Sequence, residues 1–307
     1  MATARAGLRT GKHLMRRLVT PALAVFALVG CVAQEPQGDA GDRSGASSAK
    51  ESAAGNYTHR LPIAAYSYTD DEYASIEAAE NVLAGACMAR YSLSFDPPRP
   101  APAKPGPDRR YGLSDEKSAS LFGYRPDPMA STRRPAQLGK DVRTVLLGKQ
   151  AVGATGQLEY RGKKVPDDGC LGRAKHDLGK DYAYPEGSET ASRISSQSYR
   201  DAMLRPEVRT VFKKWSDCMK KSGYTYTSPS EPFDSPAFRE GPVSAQEKAT
   251  AQADVACKRS TGLLDVWFTA ESAVQKTMIA KHAGALRKLQ ALHRQKVAAA
   301  KKILSQG

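Results

Sequence analysis

The most informative absence in this 307-residue sequence is that of long apolar runs. The longest run extends from about Leu18 to Gly30 and is interrupted by Pro21, so it is too short to cross a bilayer. No later segment approaches 18 apolar residues. The sequence therefore predicts no membrane-spanning helix, and any attachment to a membrane needs another kind of anchor.

Acidic residues are also absent before Glu35, whereas five basic residues precede the apolar run. A basic segment followed by a short apolar run is typical of a secretory signal. The run closes with Leu28-Val29-Gly30-Cys31, which resembles the lipobox of bacterial lipoproteins. The resemblance implies cleavage before Cys31 and acylation of its thiol. We expect a lipid-anchored protein on the extracytoplasmic face of the cell membrane. Arg16-Arg17 leaves open whether export follows the general or the twin-arginine route.

Common enzyme motifs are missing as well. The sequence contains no G-x-x-x-x-G-K-[ST] phosphate loop, no G-x-G-x-x-G after a strand and no G-x-S-x-G elbow. Asp70-Asp71-Glu72 and Asp167-Asp168 lie at predicted helix starts, where acids are stabilised by the helix dipole. We therefore predict that the protein is not an enzyme, and we assign no catalytic residue.

Histidine is scarce after the signal segment, which leaves His59, His176, His282 and His293. His282 and His293 lie three helical turns apart, about 16 Å along a helix axis, so they cannot bind the same ion. No tetrahedral ligand spacing is present. We expect neither a metal site nor a cofactor.

Four cysteines follow Cys31, namely Cys87, Cys170, Cys218 and Cys257. An even number of cysteines in an exported chain indicates two disulfides rather than a reactive thiol. Four cysteines allow three pairings, and their number alone does not choose among them.

The chain divides into a signal peptide (1–30), a lipidated cysteine with a flexible tether (31–56) and a mostly helical domain (57–307). The tether is rich in Gly, Ala, Ser, Asp and Glu, which cannot form a packed core. Within the domain, residues 97–108 form a Pro-rich loop that must be extended, because proline fixes φ and removes a donor.

The predicted fold is mostly α, with long irregular loops, a small hairpin near residues 158–165 and two disulfides. Phe212, Trp215 and Trp267 are expected in the core. The predicted helices cover Asp70–Tyr91, with a capping box at Thr69 and Glu72; Ser114–Phe122; a segment ending at Leu147; a segment capped by Asp168; Pro206 to Gly223; a segment that begins at a capping box formed by Ser244 and Glu247; and one or two long basic helices over about 263–305.

Two segments of the chain match each other, Cys87–Phe95 and Cys218–Tyr226. Each places Cys-Met near a helix end and continues with an apolar–hydroxyl–apolar exit. Each is followed by a later cysteine on a predicted helix. The match favours the pairs Cys87–Cys170 and Cys218–Cys257, although chance similarity of two amphipathic helix ends is an alternative explanation.

Several motifs resemble a group of uncharacterised actinobacterial lipoproteins and secreted proteins. The elements that carry the resemblance are Trp215–Tyr224, Ala253–Lys258, Thr261–Leu263 and Pro166–Leu171. The group has no established activity, so the resemblance implies an exported location and disulfides but no mechanism.

The formal charge is +14, and the signal segment holds five basic residues and no acid, which leaves about +9 for the remainder. No acid occurs from Ser272 to Gly307. The candidate contacts with an anionic surface are Lys281, Arg287, Lys288, Arg294, Lys296, Lys301 and Lys302. A basic amphipathic helix of this kind binds anionic wall polymer or lipid headgroups. The alternative is a solvated face on a docked helix.

These observations predict a non-catalytic binding or structural role at the cell envelope. Nucleic acid is not an expected partner of an exported protein, and the sequence identifies no protein partner. Two alternatives are an envelope enzyme that acts on peptidoglycan or another glycan, with facing carboxylates near Asp71 or Asp167, and an interaction module that uses the Pro-rich loop or a helical face.

Overall fold

The computed structural model describes residues 59–97, 108–128, 138–179 and 185–306, which all belong to one compact unit. The signal segment, Cys31, the tether and most of the Pro-rich loop lie outside these residues, and so do the predictions made for them. The described residues are mostly helical and contain two disulfides, which confirms the predicted fold class. None of the helices in these ranges has the length and apolar character needed to span a bilayer.

The elements follow one another as a short 3-10 helix, twelve α-helices and one two-stranded sheet within the described ranges. The helices are the 3-10 helix Pro62–Tyr66, α1 (Asp70–Ala89), α2 (Glu116–Phe122), α3 (Lys140–Leu147), α4 (Lys149–Val152), α5 (Gly169–Leu178), α6 (Ser188–Met203), α7 (Pro206–Lys221), α8 (Glu231–Asp234), α9 (Pro236–Arg239), α10 (Ala245–Thr261), α11 (Leu263–Lys281) and α12 (Ala283–Leu304). The strands are β1 (Glu159–Tyr160) and β2 (Lys163–Lys164), paired antiparallel. The basic C-terminal region is thus two helices that meet at His282.

One of the two predicted capping boxes forms completely. At α1, the Thr69 hydroxyl accepts from the Glu72 amide at 3.2 Å, and the Glu72 carboxylate accepts from the Thr69 amide at 2.8 Å. At α10, Ser244 accepts from the Glu247 amide at 3.0 Å, but the Glu247 carboxylate accepts from the buried Tyr124 amide at 3.2 Å. The box predicted at Ser244 was therefore wrong in its second half, because Glu247 has a partner in the core.

The predicted hairpin is confirmed. Its two turn residues, Arg161 and Gly162, both have positive φ (51° and 72°), as a tight two-residue hairpin turn requires. The hydroxyl of Tyr91 donates to the carbonyl of Lys164 at 2.6 Å, which ties the hairpin to the end of α1.

The two disulfides join Cys87 of α1 to Cys170 of α5 and Cys218 of α7 to Cys257 of α10. Their Cα–Cα distances are 5.5 and 5.7 Å, within the usual range for a disulfide. This is the pairing that the internal match favours.

The matched helix ends also share backbone geometry. After α1, the amide of Leu93 donates to the carbonyl of Met88 at 3.3 Å; after α7, the amide of Tyr224 donates to Met219 at 2.9 Å. Both methionines are fully buried. The residue before each donor is left-handed, Ser92 with φ 55° and Gly223 with φ 87°. The match therefore describes one repeated helix–turn unit of the Schellman type.

The two disulfides mark two halves of the fold, the first around α1 and α5 and the second around α7 and α10. Each half contributes a helix to the other. The first half packs α1 against α3 and α5, and the second packs α11 against α6 and α7. However, α2 lies within the first disulfide loop and packs on α10, whereas α12 follows the second disulfide and packs on α1.

The predicted core aromatics lie in the second half, where Trp215 and Trp267 are buried and Phe212 packs edge-on against Trp267.

Three buried acids on α10 and α11 hold the segment that contains α2. Glu271 accepts hydrogen bonds from the Arg110 Nε at 3.0 Å and the Tyr111 hydroxyl at 2.8 Å. Asp254 binds the Lys258 Nζ at 2.9 Å, and the same Nζ donates to the Leu113 carbonyl at 3.0 Å. The Glu247 carboxylate accepts a hydrogen bond from the Tyr124 amide. Removal from water raises the pKa of Asp254, while Lys258 and the indole N–H of Trp215, at 2.9 Å, act in the opposite direction.

We expect Ser92→Gly to raise the free energy of unfolding by roughly 0.5–1 kcal/mol, because glycine adopts positive φ without the steric cost of a side chain. Gly223→Ala should lower it by about 1 kcal/mol through backbone strain alone, since no atom lies within 4 Å of the added Cβ. Urea unfolding of the oxidised protein measures both. Equal stabilities for Ser92→Gly and the wild type would contradict the proposed equivalence of the two helix ends.

We expect Asp254→Asn to lower the free energy of unfolding by about 3 kcal/mol, because it leaves the buried Lys258 ammonium without a counter-charge. The double variant Asp254→Asn/Lys258→Met should lose less than the sum of the single losses, by more than about 1 kcal/mol. The matched control is Asp217→Asn in the exposed i,i+4 pair Lys213–Asp217 of α7, which should change stability by less than about 0.5 kcal/mol. Additive losses in the buried pair would show that Asp254 and Lys258 are not coupled.

Candidate functional site

A groove of about 1380 Å³ lies along α1, between the α3–α4 corner, α5 and α12. We call it the α1–α5 groove. Its lining combines two tyrosines, residues of both charges and uncharged polar side chains. The aromatic, charged and amide side chains of the lining are Tyr68, Tyr73, Glu77, Glu80, Asn81, Arg143, Gln150, Asp168, Lys175, His176 and Lys296.

The walls of the groove are held by close backbone contacts. Gly148, between α3 and α4, and Gly169, at the start of α5, both have φ of 68°. A Cβ on Gly148 would overlap the Asp167 carbonyl, and one on Gly169 would overlap the Leu146 carbonyl. The Lys149 amide donates to the Asp167 carbonyl at 2.8 Å. These contacts and the Cys87–Cys170 disulfide fix the α3–α4 corner and α1 against α5.

The groove carries charges of both signs. Glu77, Glu80 and Asp168 supply carboxylates, and Arg143, Lys175 and Lys296 supply cations. The Lys296 Nζ lies 3.2 Å from the Glu80 Oε1, and the two side chains are only 15% and 13% exposed. The pair joins α12 to α1. Three carboxylates and three cations leave little net charge in the groove.

Two tyrosine rings in edge-to-face contact form one end of the groove. Tyr73 is 56% exposed and meets Tyr68 edge to face, with ring centroids 5.2 Å apart. On its other side, Tyr68 lies against His293 of α12 at 4.1 Å. Burial lowers the pKa of His293, the Glu72 carboxylate raises it and Lys296 lowers it, with a net decrease.

The predicted basic residues of the C-terminal region do not all face the same way. Lys281, Arg287, Arg294, Lys301 and Lys302 are exposed, and none of them has an acidic partner in the part of the chain that the structure describes. Lys288 is exposed but lies 2.8 Å from Glu186. Lys296 points into the α1–α5 groove, and it therefore does not belong to an outward-facing contact surface.

The structure gives Glu72 and Asp167 structural partners, whereas the cap predicted for Asp168 does not form. Glu72 completes the capping box of α1, and Asp167 forms an ion pair with Lys149 at 2.8 Å. Asp168 occupies the N-cap position of α5 without a side-chain capping bond. Neither Asp71 nor Asp167 lines the groove. Across the described residues, no three His, Cys, Asp or Glu side chains are grouped so that they could hold a metal ion.

The sequence did not single out Tyr73, Glu77, Glu80 or Asn81. Their positions on α1, at i, i+4, i+7 and i+8, place them on one side of the helix. This spacing is the sequence signal from which a shared polar face could be predicted. The Lys296–Glu80 pair joins residues far apart in sequence, so no local pattern identifies it.

Comparison with known proteins finds no family model, curated protein or solved structure that matches this chain.

We expect the His293 environment to make stability depend on pH. Because the folded pKa lies below the usual value of about 6.5, the unfolded chain binds the proton more readily, and stability is lost as pH falls below about 6.5. His293→Phe keeps a ring against Tyr68 but does not titrate. The variant should lose less stability than the wild type when melting temperature is compared at neutral and mildly acidic pH. Identical losses would show that His293 does not contribute.

Proposed function

We propose that this protein is a lipid-anchored, extracytoplasmic binding protein whose α12 surface contacts anionic groups of the cell envelope. The observation that carries the proposal is a row of exposed cations on α12. Arg287, Arg294 and Lys301 recur every seven residues, and Lys302 lies beside the last of them. We call these four residues the α12 cation row.

The spacing of the row suits an extended polyanion. Seven residues rise about 10.5 Å and complete nearly two turns, so equivalent positions lie on one side of the helix. The row therefore extends over about 21 Å from Arg287 to Lys301. Its spacing is close to the Debye length of about 10 Å at 0.1 M salt, so neighbouring cations repel one another only weakly when the anion is absent.

The buried face of α12, which adjoins the row, explains why the helix can present these charges. Leu286, Leu289 and Val297 are buried on that face. The helix is thus docked by its apolar face and does not need a membrane to cover it. Contact with an envelope surface is then electrostatic and depends on salt.

The anchor is supported by sequence. The lipobox ending at Cys31 and the resemblance to the actinobacterial lipoprotein group both favour export and acylation, and the two disulfides suit an oxidising compartment. The tether of residues 31–56 would let the folded part reach wall polymer or headgroups. Acyl chains that anchor the protein bring α12 close to anions at high effective concentration.

We expect the triple variant Arg287→Gln/Arg294→Gln/Lys301→Gln to bind anionic material about 100-fold more weakly at low salt, since each cation near an anionic surface contributes about 1 kcal/mol. The matched control, Lys214→Gln/Lys220→Gln/Lys221→Gln, removes the same charge from exposed positions on α7. Co-sedimentation with isolated cell wall and, separately, with vesicles containing anionic lipid measures binding and identifies the source of the anion. Equal losses in both variants would contradict a site on α12, because net charge alone would then account for binding.

A further inference from the structure

We propose that the α1–α5 groove is a binding site for a neutral, hydroxyl-rich oligosaccharide, in which the exposed ring of Tyr73 packs against a sugar ring. This site differs from the α12 cation row in position, ligand chemistry and dependence on salt. The inference does not rest on the proposed anionic contact.

The size of the groove favours an oligomer over a single small molecule. Its volume of about 1380 Å³ exceeds the roughly 300–1,000 Å³ of typical small-molecule pockets. The groove extends along α1 from Tyr73 to Asn81, eight residues that rise about 12 Å. Such a length accommodates two or more linked sugar rings.

The mixture of charges selects for hydroxyl groups. A polyanion would meet the carboxylates of Glu77, Glu80 and Asp168, and a polycation would meet Arg143 and Lys175. A hydroxyl both donates and accepts, so it can donate to the carboxylates and accept from the cations. Sugars carry many such groups, and hydrogen bonds to charged side chains are stronger than neutral ones.

Amide side chains add donors and acceptors in pairs. Asn81 of α1 and Gln150 of α4 both line the groove, and each offers one carbonyl and one NH2 group. Adjacent hydroxyls on a sugar ring match this arrangement. The two amides lie on different walls, so a bound ring would lie between them.

Tyr73 supplies the apolar surface that sugar rings need on their C–H faces. Its side chain is 56% exposed, which leaves a large aromatic surface in water at the edge of a polar groove. Tyr68 supports the ring edge to face at 5.2 Å, and His293 supports Tyr68 in turn. An aromatic ring held in this way loses little conformational entropy on binding.

The groove needs little reorganisation to bind. The Cys87–Cys170 disulfide, the close contact of Gly148 with Gly169 and the Lys296–Glu80 pair fix three of its walls. Preorganised walls reduce the ordering cost that weakens binding in flexible sites.

The test uses three soluble probes: the neutral tetrasaccharides chitotetraose and maltotetraose, and the acidic tetragalacturonate. Binding to the disulfide-intact domain is measured by calorimetry and by saturation-transfer NMR at moderate salt. We expect a neutral probe to bind, Tyr73→Ala to weaken it about tenfold or more, and Tyr73→Phe to keep the affinity within about threefold because the ring remains. The matched control is Val82→Ala, an exposed α1 position that does not line the groove, which should leave the affinity unchanged.

Three results would overturn the proposal. The first is no binding of either neutral probe at millimolar concentration. The second is binding that Tyr73→Ala leaves unchanged. The third is binding of tetragalacturonate alone that is lost in the Arg287→Gln/Arg294→Gln/Lys301→Gln variant, which would assign saccharide binding to the α12 cation row. Failure of that row to bind wall or vesicles leaves the groove test unaffected.

Discussion

The structure depends on three carboxylates buried on α10 and α11. Glu247 and Glu271 accept hydrogen bonds from the 108–125 segment, which lies inside the first disulfide loop. Asp254 acts through Lys258, which it binds and which donates to the Leu113 carbonyl of that segment. Displacing the segment would take the Tyr124 amide from Glu247 and the Arg110 and Tyr111 donors from Glu271, and buried carboxylates that lose partners are strongly destabilising. Glu271 also accepts from Ser198 of α6 at 2.9 Å and Gln275 at 3.0 Å, and therefore joins three elements at one point. The two disulfide-linked halves consequently form one folded unit.

This constraint determines where the two candidate surfaces lie. Because α11 is held by Glu271 and α12 follows it after His282, the direction of α12 is set by the second half. Its most extensive packing is nevertheless against α1 of the first half. One side of α12 closes the groove through Lys296, and the other presents the cation row. The groove and the row are thus two sides of the same helix. Their relative position follows from the exchange of helices between the halves.

Local sequence signals predicted much of this fold. The Thr69 capping box, Pro206 at the start of α7 and the Cys-Met repeat each reflect an interaction among neighbouring residues, and the structure confirms all three. Side-chain direction was harder to predict. Asp254 and Lys258 have the same i,i+4 spacing as Lys213 and Asp217, yet the first pair is fully buried and the second is 61–79% exposed. Only contacts between distant segments separate the two cases, and no local pattern records them. The same limit applies to Lys296, which belongs to the basic region in sequence but pairs with Glu80 in the groove.

The row is cationic and the groove carries both signs of charge, so the two proposed sites call for ligands of different chemistry. Attraction to the α12 cation row acts over about 10 Å, falls with salt and does not distinguish one polyanion from another. Recognition in the groove requires contact with Tyr73 and hydrogen bonds of fixed geometry, and is much less sensitive to salt. A ligand that carries both anionic groups and sugar rings could engage both surfaces, and the second contact would then benefit from the effective concentration that the first creates. Under the two proposals together, the row would set the rate of association and the groove would set which glycan is retained.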